Sequence, residues 1–156
     1  MAAIPESALR ALTKAVEITF EEMAFSEVDI IEAGVERKYT AGDSIQAGLA
    51  ITAPFSAWID LRMPRKLAEQ ITESVCMAAG GCVGSEEMND VLAEMVNVIA
   101  GLFLKEFLPP DKSYSLDIPT VGKKPPPSKG KDRAAIFIEV EGSPVTITIS
   151  GKDIIN

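Results

Sequence analysis

The stretch Ser85-EEMNDVLAEMVNVIAGLFLKEF-Leu108 decides the fold. Each residue of a helix turns about 100° around the axis. With Glu94 at zero, Val91, Leu92, Met95, Val96, Ile99, Leu102, Phe103 and Phe107 fall between roughly 60° and 220° of the helical wheel. A face this wide and apolar has to be buried. Ser85 is a good N-cap, and Glu86 and Glu87 complement the positive end of the helix. Pro109-Pro110 terminates the run at about Leu108. The remaining side of the wheel holds Glu87, Asp90, Glu94, Asn97 and Gly101 in one narrow stripe.

Glu94 and Asn97 are three apart, so their Cβ atoms lie about 5–6 Å from each other. A carboxylate and an amide held that way can anchor a cation and orient a water together. Gly101 lies one turn further on, and a mid-helix glycine costs about 1 kcal/mol relative to alanine. A bare patch there lets another surface come close. The acids of the stripe have no basic residue four positions on, and Lys105 lies too far from Glu94 to pair with it. A merely solvated face of an amphipathic helix would read the same way.

Working outward, residues from about Ser7 to Phe25 read as a first helix, with Leu9, Leu12, Val16, Phe20 and Met23 on one stripe. A strand is expected near Val28 to Tyr39, ending before the turn signal Ala41-Gly42-Asp43. Ile45 to Ala53 and Phe55 to Arg62, with Pro54 between them, read as a hairpin. Arg65 to Met77 reads as a second helix, stopped at Gly80-Gly81. After the third helix come a short strand near Tyr114 to Ile118 and a loop from Gly122 to Arg133. Ala134 to Glu141 and Pro144 to Ser150 read as a second hairpin around Glu141-Gly142-Ser143. The order is α-β-β-β-α-α-β-β-β, an α+β fold with an antiparallel or mixed sheet and long helices packed against it.

Composition narrows the function. The chain has 156 residues, 23 acidic and 15 basic side chains, and a net charge of −8. One domain spanning residues 1–156 is expected at this length. It is large enough to bury roughly 68–70% of the unfolded chain's surface. The acidic balance argues against a nucleic-acid partner, because phosphate contacts need clustered Lys and Arg. There is no histidine. That removes Ser-His-Asp and Cys-His nucleophile systems, imidazole metal sites and the dimetal carboxylate bundle. The N-terminal stretch, interrupted by Glu6, Arg10, Lys14 and Glu17, is no signal peptide, and no stretch approaches the ~18 apolar residues of a membrane span. Cys76 and Cys82 read as ordinary reduced thiols, and a cytoplasmic location is the default expectation. The loop holding Pro125-Pro126-Pro127 and Lys123, Lys124, Lys129, Lys131 and Arg133 reads as an exposed connection. A docking surface for an acidic partner is the other reading.

The pattern Asp90-x-x-x-Glu94-x-x-Asn97-x-x-x-Gly101 resembles the active helix of the CheC/CheX/FliY phosphatases of bacterial chemotaxis, whose motif is Asp or Ser, three residues, Glu, two residues, Asn. The order of elements is similar too, over nearly the whole chain. Thr13-x-x-x-Glu17-x-x-Phe20 falls 77 residues earlier (90 − 13), as the family's pseudo-twofold internal repeat requires. Phe20 stands there in place of the amide, so the first half is expected to be inactive. A single motif on the later helix resembles CheX more than CheC.

The resemblance implies hydrolysis of the aspartyl phosphate on a CheY-like response regulator. Carried over by position, Glu94 pairs with a lysine of the response regulator and Asn97 orients the attacking water. Asp90 becomes a helix-surface contact, with Glu87 and Gly101 in the same partner-binding stripe. No cofactor is expected on this chain, and Mg2+ would belong to the response regulator. Family members of the CheX type are homodimers through sheet edges, so a dimer is expected. An acyl phosphate is already activated, and its hydrolysis needs positioning and charge stabilisation rather than histidine. Two other readings compete: a non-catalytic adaptor or flagellar-switch-like module that docks a response regulator, and a structural domain with a solvated helix face.

Overall fold

A computed structural model describes residues 4–24, 28–33, 43–78, 85–122 and 132–154. The elements in chain order are α1 (Glu6–Glu22), β1 (Val28–Ala33), β2 (Ser44–Ala53), β3 (Ala57–Pro64), α2 (Arg65–Ala78), α3 (Ser85–Phe107), β4 (Ser115–Leu116), β5 (Thr120–Val121), β6 (Arg133–Val140) and β7 (Ser143–Ser150). The fold is α+β, as the patterning predicts, and every strand pairing is antiparallel.

Three expectations are corrected. The first helix stops at Glu22 rather than Phe25. Phe55 belongs to the turn of the first hairpin, not to its second strand, and is buried there. The single strand expected near Tyr114 to Ile118 is two short ones, β4 and β5, broken where the Asp117 carboxylate accepts from Ile118 N–H at 2.8 Å. The end of the strand expected up to Tyr39, the Ala41-Gly42 turn, the Gly80-Gly81 stop, Cys82 and most of the basic loop (123–131) lie outside the described residues. Cys76 is a free, half-buried thiol.

The sheet order is β1-β6-β7-β3-β2-β4, with β5 also on β2. This order encodes a pseudo-twofold. The hairpins β2–β3 and β6–β7 lie side by side, joined by the antiparallel pair β3–β7. Each half then lends its first strand to the other half: β1 pairs with β6, and β4 and β5 pair with β2. The pseudo-twofold repeat that the sequence resemblance implies is therefore visible in the strand pairing itself.

Alternation along each strand explains the layering, since successive residues face opposite sides. Ile45, Ala47, Leu49 and Ile51 of β2, Ile59, Leu61 and Met63 of β3, Ile136 and Ile138 of β6, and Ile147 and Ile149 of β7 join the buried residues of all three helices in one cluster. The other face of the sheet carries Gln46, Trp58, Asp60, Thr146, Thr148 and Ser150, which are also buried. Here Trp58 lies across Gly48: a Cβ on that glycine would sit 2.6 Å from the indole Cζ2. Trp58 Nε1 donates to Asp60 Oδ1 at 3.3 Å, and Gln46 Nε2 donates to the same oxygen. Burial pushes the Asp60 carboxyl above its ordinary range. The Gln46 and Trp58 hydrogen bonds, then the Arg62 and Arg133 charges, oppose that shift.

Candidate functional site

Contacts at its C-terminal end and a wide buried face place α3. Within the helix Phe103 and Phe107 stack 5.3 Å apart with rings nearly parallel, and Phe107 meets Phe55 edge-on at 6.0 Å, which holds the C-terminal end. Phe55 follows β2 in the chain, so the C-terminal end of α3 lies by the end of β2, and the helix packs against that strand. Beside it lies α1, antiparallel, with Lys14 Nζ bonded to Glu106 Oε1 at 3.2 Å. Met95, Val96, Ile99 and Phe103 are fully buried, while Val91, Leu92 and Phe107 are nearly so. Leu102 is half-buried at the rim of this face.

Burying that face turns the stripe outward. Glu87, Asp90 and Glu94 are exposed, and Asn97 and Gly101 are half-buried. All five residues singled out from sequence therefore lie along one side of one helix. Among the described residues, Glu87, Asp90 and Glu94 take part in no ion pair. Asn97 likewise makes no side-chain hydrogen bond to a described residue. The acid and the amide are thus both uncommitted. Together they present an acceptor for a cation and a donor–acceptor pair for a water, on a rigid helix anchored at its far end.

The equivalent position in the first half is different. Phe20 is completely buried, and the Thr13 hydroxyl is turned back to the Leu9 carbonyl at 2.8 Å. Glu17 is half-buried on the same helix. No polar group stands where Asn97 stands in the second half.

Tyr114 went unrecognised in the sequence. Its hydroxyl is 3.7 Å from where a Cβ on Gly101 would be. The surface that approaches Gly101 in this chain is therefore the chain's own, brought there by the return of the backbone from Pro109 to β4. Nothing at the thirteen-residue separation signals this contact.

Residues 45–141 match the family described as chemotaxis phosphatase CheX. That is 97 of 156 residues, and it includes the whole of α3. The chain belongs to the CheX family. No curated protein matches its sequence. Solved structures agree on the CheX-type fold. A chemotaxis protein CheX from Desulfovibrio desulfuricans superposes with a TM-score of 0.74 at 15% identity, covering 93% of this chain and 99% of that one. The CheX of the Borrelia burgdorferi CheX-CheY-BeF3-Mg2+ complex gives 0.66 at 16% identity, covering 94% and 98%. FliY from Thermotoga maritima gives 0.64 at 16%, covering 96% and 92%. Among the described residues no helix is long and apolar enough to cross a membrane.

Proposed function

We propose that this CheX-family chain is a phosphatase acting on the aspartyl phosphate of a CheY-like response regulator. The observation that carries the reading is the outward-facing placement of Glu94 beside Asn97 on one stripe of α3, neither with a partner among the described residues, in a chain of this family. Glu94 meets a lysine beside the phosphorylated aspartate and fixes the docking register. Asn97 enters beside the acyl phosphate and holds a water in line with the bond to be cleaved. The water oxygen bonds to phosphorus, the bond from phosphorus to the carboxyl oxygen breaks, the aspartate carboxylate is restored on the partner, and inorganic phosphate leaves carrying the water's protons. Catalysis of this kind is positioning plus electrostatics, which one amide and one carboxylate can add to a site built by the partner. The Mg2+ belongs to the response regulator on this reading. Asp90 and Glu87 extend the contact along the helix.

The reading places the chain in the cytoplasm, with the response regulator, as a homodimer formed through sheet edges. Neither a nucleic acid nor a membrane is among its partners. Two edges are present: β1, paired only with β6 among the described residues, and β4–β5 at the opposite end. The experiment is the lifetime of a phosphorylated CheY-like protein in the presence of increasing amounts of this chain. Acceleration that scales with the chain and saturates supports the phosphatase. Saturable binding with an unchanged lifetime replaces it with the adaptor reading.

A further inference from the structure

The stripe on α3 does not end at the helix. The segment from Tyr114 to Val121 runs antiparallel to β2 along the sheet edge, with Ser115 opposite Ala53, Leu116 opposite Ile51, Thr120 opposite Gly48 and Val121 opposite Ala47. The segment begins beside the C-terminal half of α3, where Tyr114 meets Gly101, and β5 touches the helix again. Two of the large apolar side chains left exposed among the described residues are here: Tyr114, 37% exposed, and Ile118, 80% exposed. The Tyr114 hydroxyl, the tip of the side chain, lies against Gly101, so the ring is seated on the helix and still partly open to solvent. Any side chain larger than alanine at position 101 would occupy that seat.

We propose that Tyr114 is a docking residue that completes the partner surface begun by Glu94 and Asn97, and that Gly101 is there to seat it. The occupant is the receiver domain of the response regulator. Tyr114 meets the helix at Gly101, one helical turn from the amide of Asn97, so a body seated on that amide lies beside the ring. An aromatic ring held on a rigid seat contributes contact area at low entropic cost, which is why tyrosine is enriched among residues that dominate interfaces. The role is binding, with no part in the chemistry. The inference rests on the response-regulator reading of the stripe.

The test has two arms on the same proteins. The first titrates beryllofluoride-loaded, Mg2+-containing CheY-like receiver against the chain and its Tyr114→Ala, Tyr114→Phe and Gly101→Leu variants, after circular dichroism melts show that each folds. The second follows decay of the phosphorylated receiver over a range of chain concentrations. Loss of the ring is expected to weaken binding about tenfold and to raise the half-saturating concentration by the same factor. The saturating rate changes by less than twofold. Gly101→Leu, which evicts the ring, reproduces Tyr114→Ala, and Tyr114→Phe recovers most of the loss. A merely structural role would lower the saturating rate and leave the half-saturating concentration alone, which overturns the proposal. Unchanged affinity in Tyr114→Ala overturns it too. Affinity that depends on Tyr114 without any acceleration of decay keeps the docking residue and removes the phosphatase reading. No binding by the wild-type chain removes both.

Discussion

Asn97 and Glu94 carry the account because of what surrounds them as much as what they are. Each is followed or preceded by a fully buried residue, Met95 after Glu94 and Val96 before Asn97, and each is left without a partner among the described residues. Two other single residues make sharper demands on the fold. Gly48 has no room for a methyl group beneath Trp58. Gly48→Ala is expected to cost about 1–3 kcal/mol, the range for forcing extra volume into a packed site, with loss of the native tryptophan fluorescence environment as the reporter in a urea melt. Asp60 is buried with its carboxyl pushed up, so folding favours its protonated form more than the unfolded chain does. The contribution of Asp60 to stability is then largest at acid pH and falls as the pH rises through its folded-state value. Asp60→Asn keeps an oxygen for Gln46 and Trp58 to donate to and never ionises. Its melting temperature should exceed that of the wild type at pH 8, and the gap should close toward pH 4. A gap that widens in acid would contradict the burial argument.

At the level of elements, the three helices were legible because apolar residues recur at three and four, and that period survives any tertiary context. Starts and stops were legible where proline or a cap stands, as at Pro109-Pro110. The second hairpin was legible from Glu141-Gly142. Both residues have positive φ, 51° and 80°, the requirement of the tight turn whose twist matches its strands. Gly142→Ala should cost about 1–2 kcal/mol, the penalty for an L-residue in the left-handed region, read as a shift in the denaturation midpoint. The two-residue strands β4 and β5 were not legible, because neither is long enough to show a period of two. They exist because β2 offers an open edge, and that is a fact about β2's pairing rather than about residues 115–121.

On the scale of the molecule, the resemblance implied a duplicated architecture with Thr13-Glu17-Phe20 as the counterpart of Asp90-Glu94-Asn97, and the palindromic strand order shows the duplication. Strand order itself was not readable, since each outer strand pairs across the pseudo-twofold with the other half, over separations that no local pattern records. The Tyr114–Gly101 contact was hidden for the same reason. Duplication does not make two sites. Phe20 lies wholly inside the core, so Phe20→Asn should lose about 3–5 kcal/mol, as large-to-small core changes do, and gain no second phosphatase activity. A stable Phe20→Asn protein with raised activity would mean that the first half is a latent site.

The central claim is that one amide on α3 speeds hydrolysis of an aspartyl phosphate on a partner. The measurement that meets it most directly is the decay of a phosphorylated CheY-like protein with saturating wild-type chain, Asn97→Ala or Glu94→Ala, alongside each variant's affinity for the beryllofluoride-loaded receiver. Asn97→Ala is expected to lose stimulated decay by about a hundredfold or more, as removal of a single positioned polar group does, while binding stays within a few-fold of wild type. Glu94→Ala is expected to weaken both. Full stimulated decay by Asn97→Ala would contradict the account.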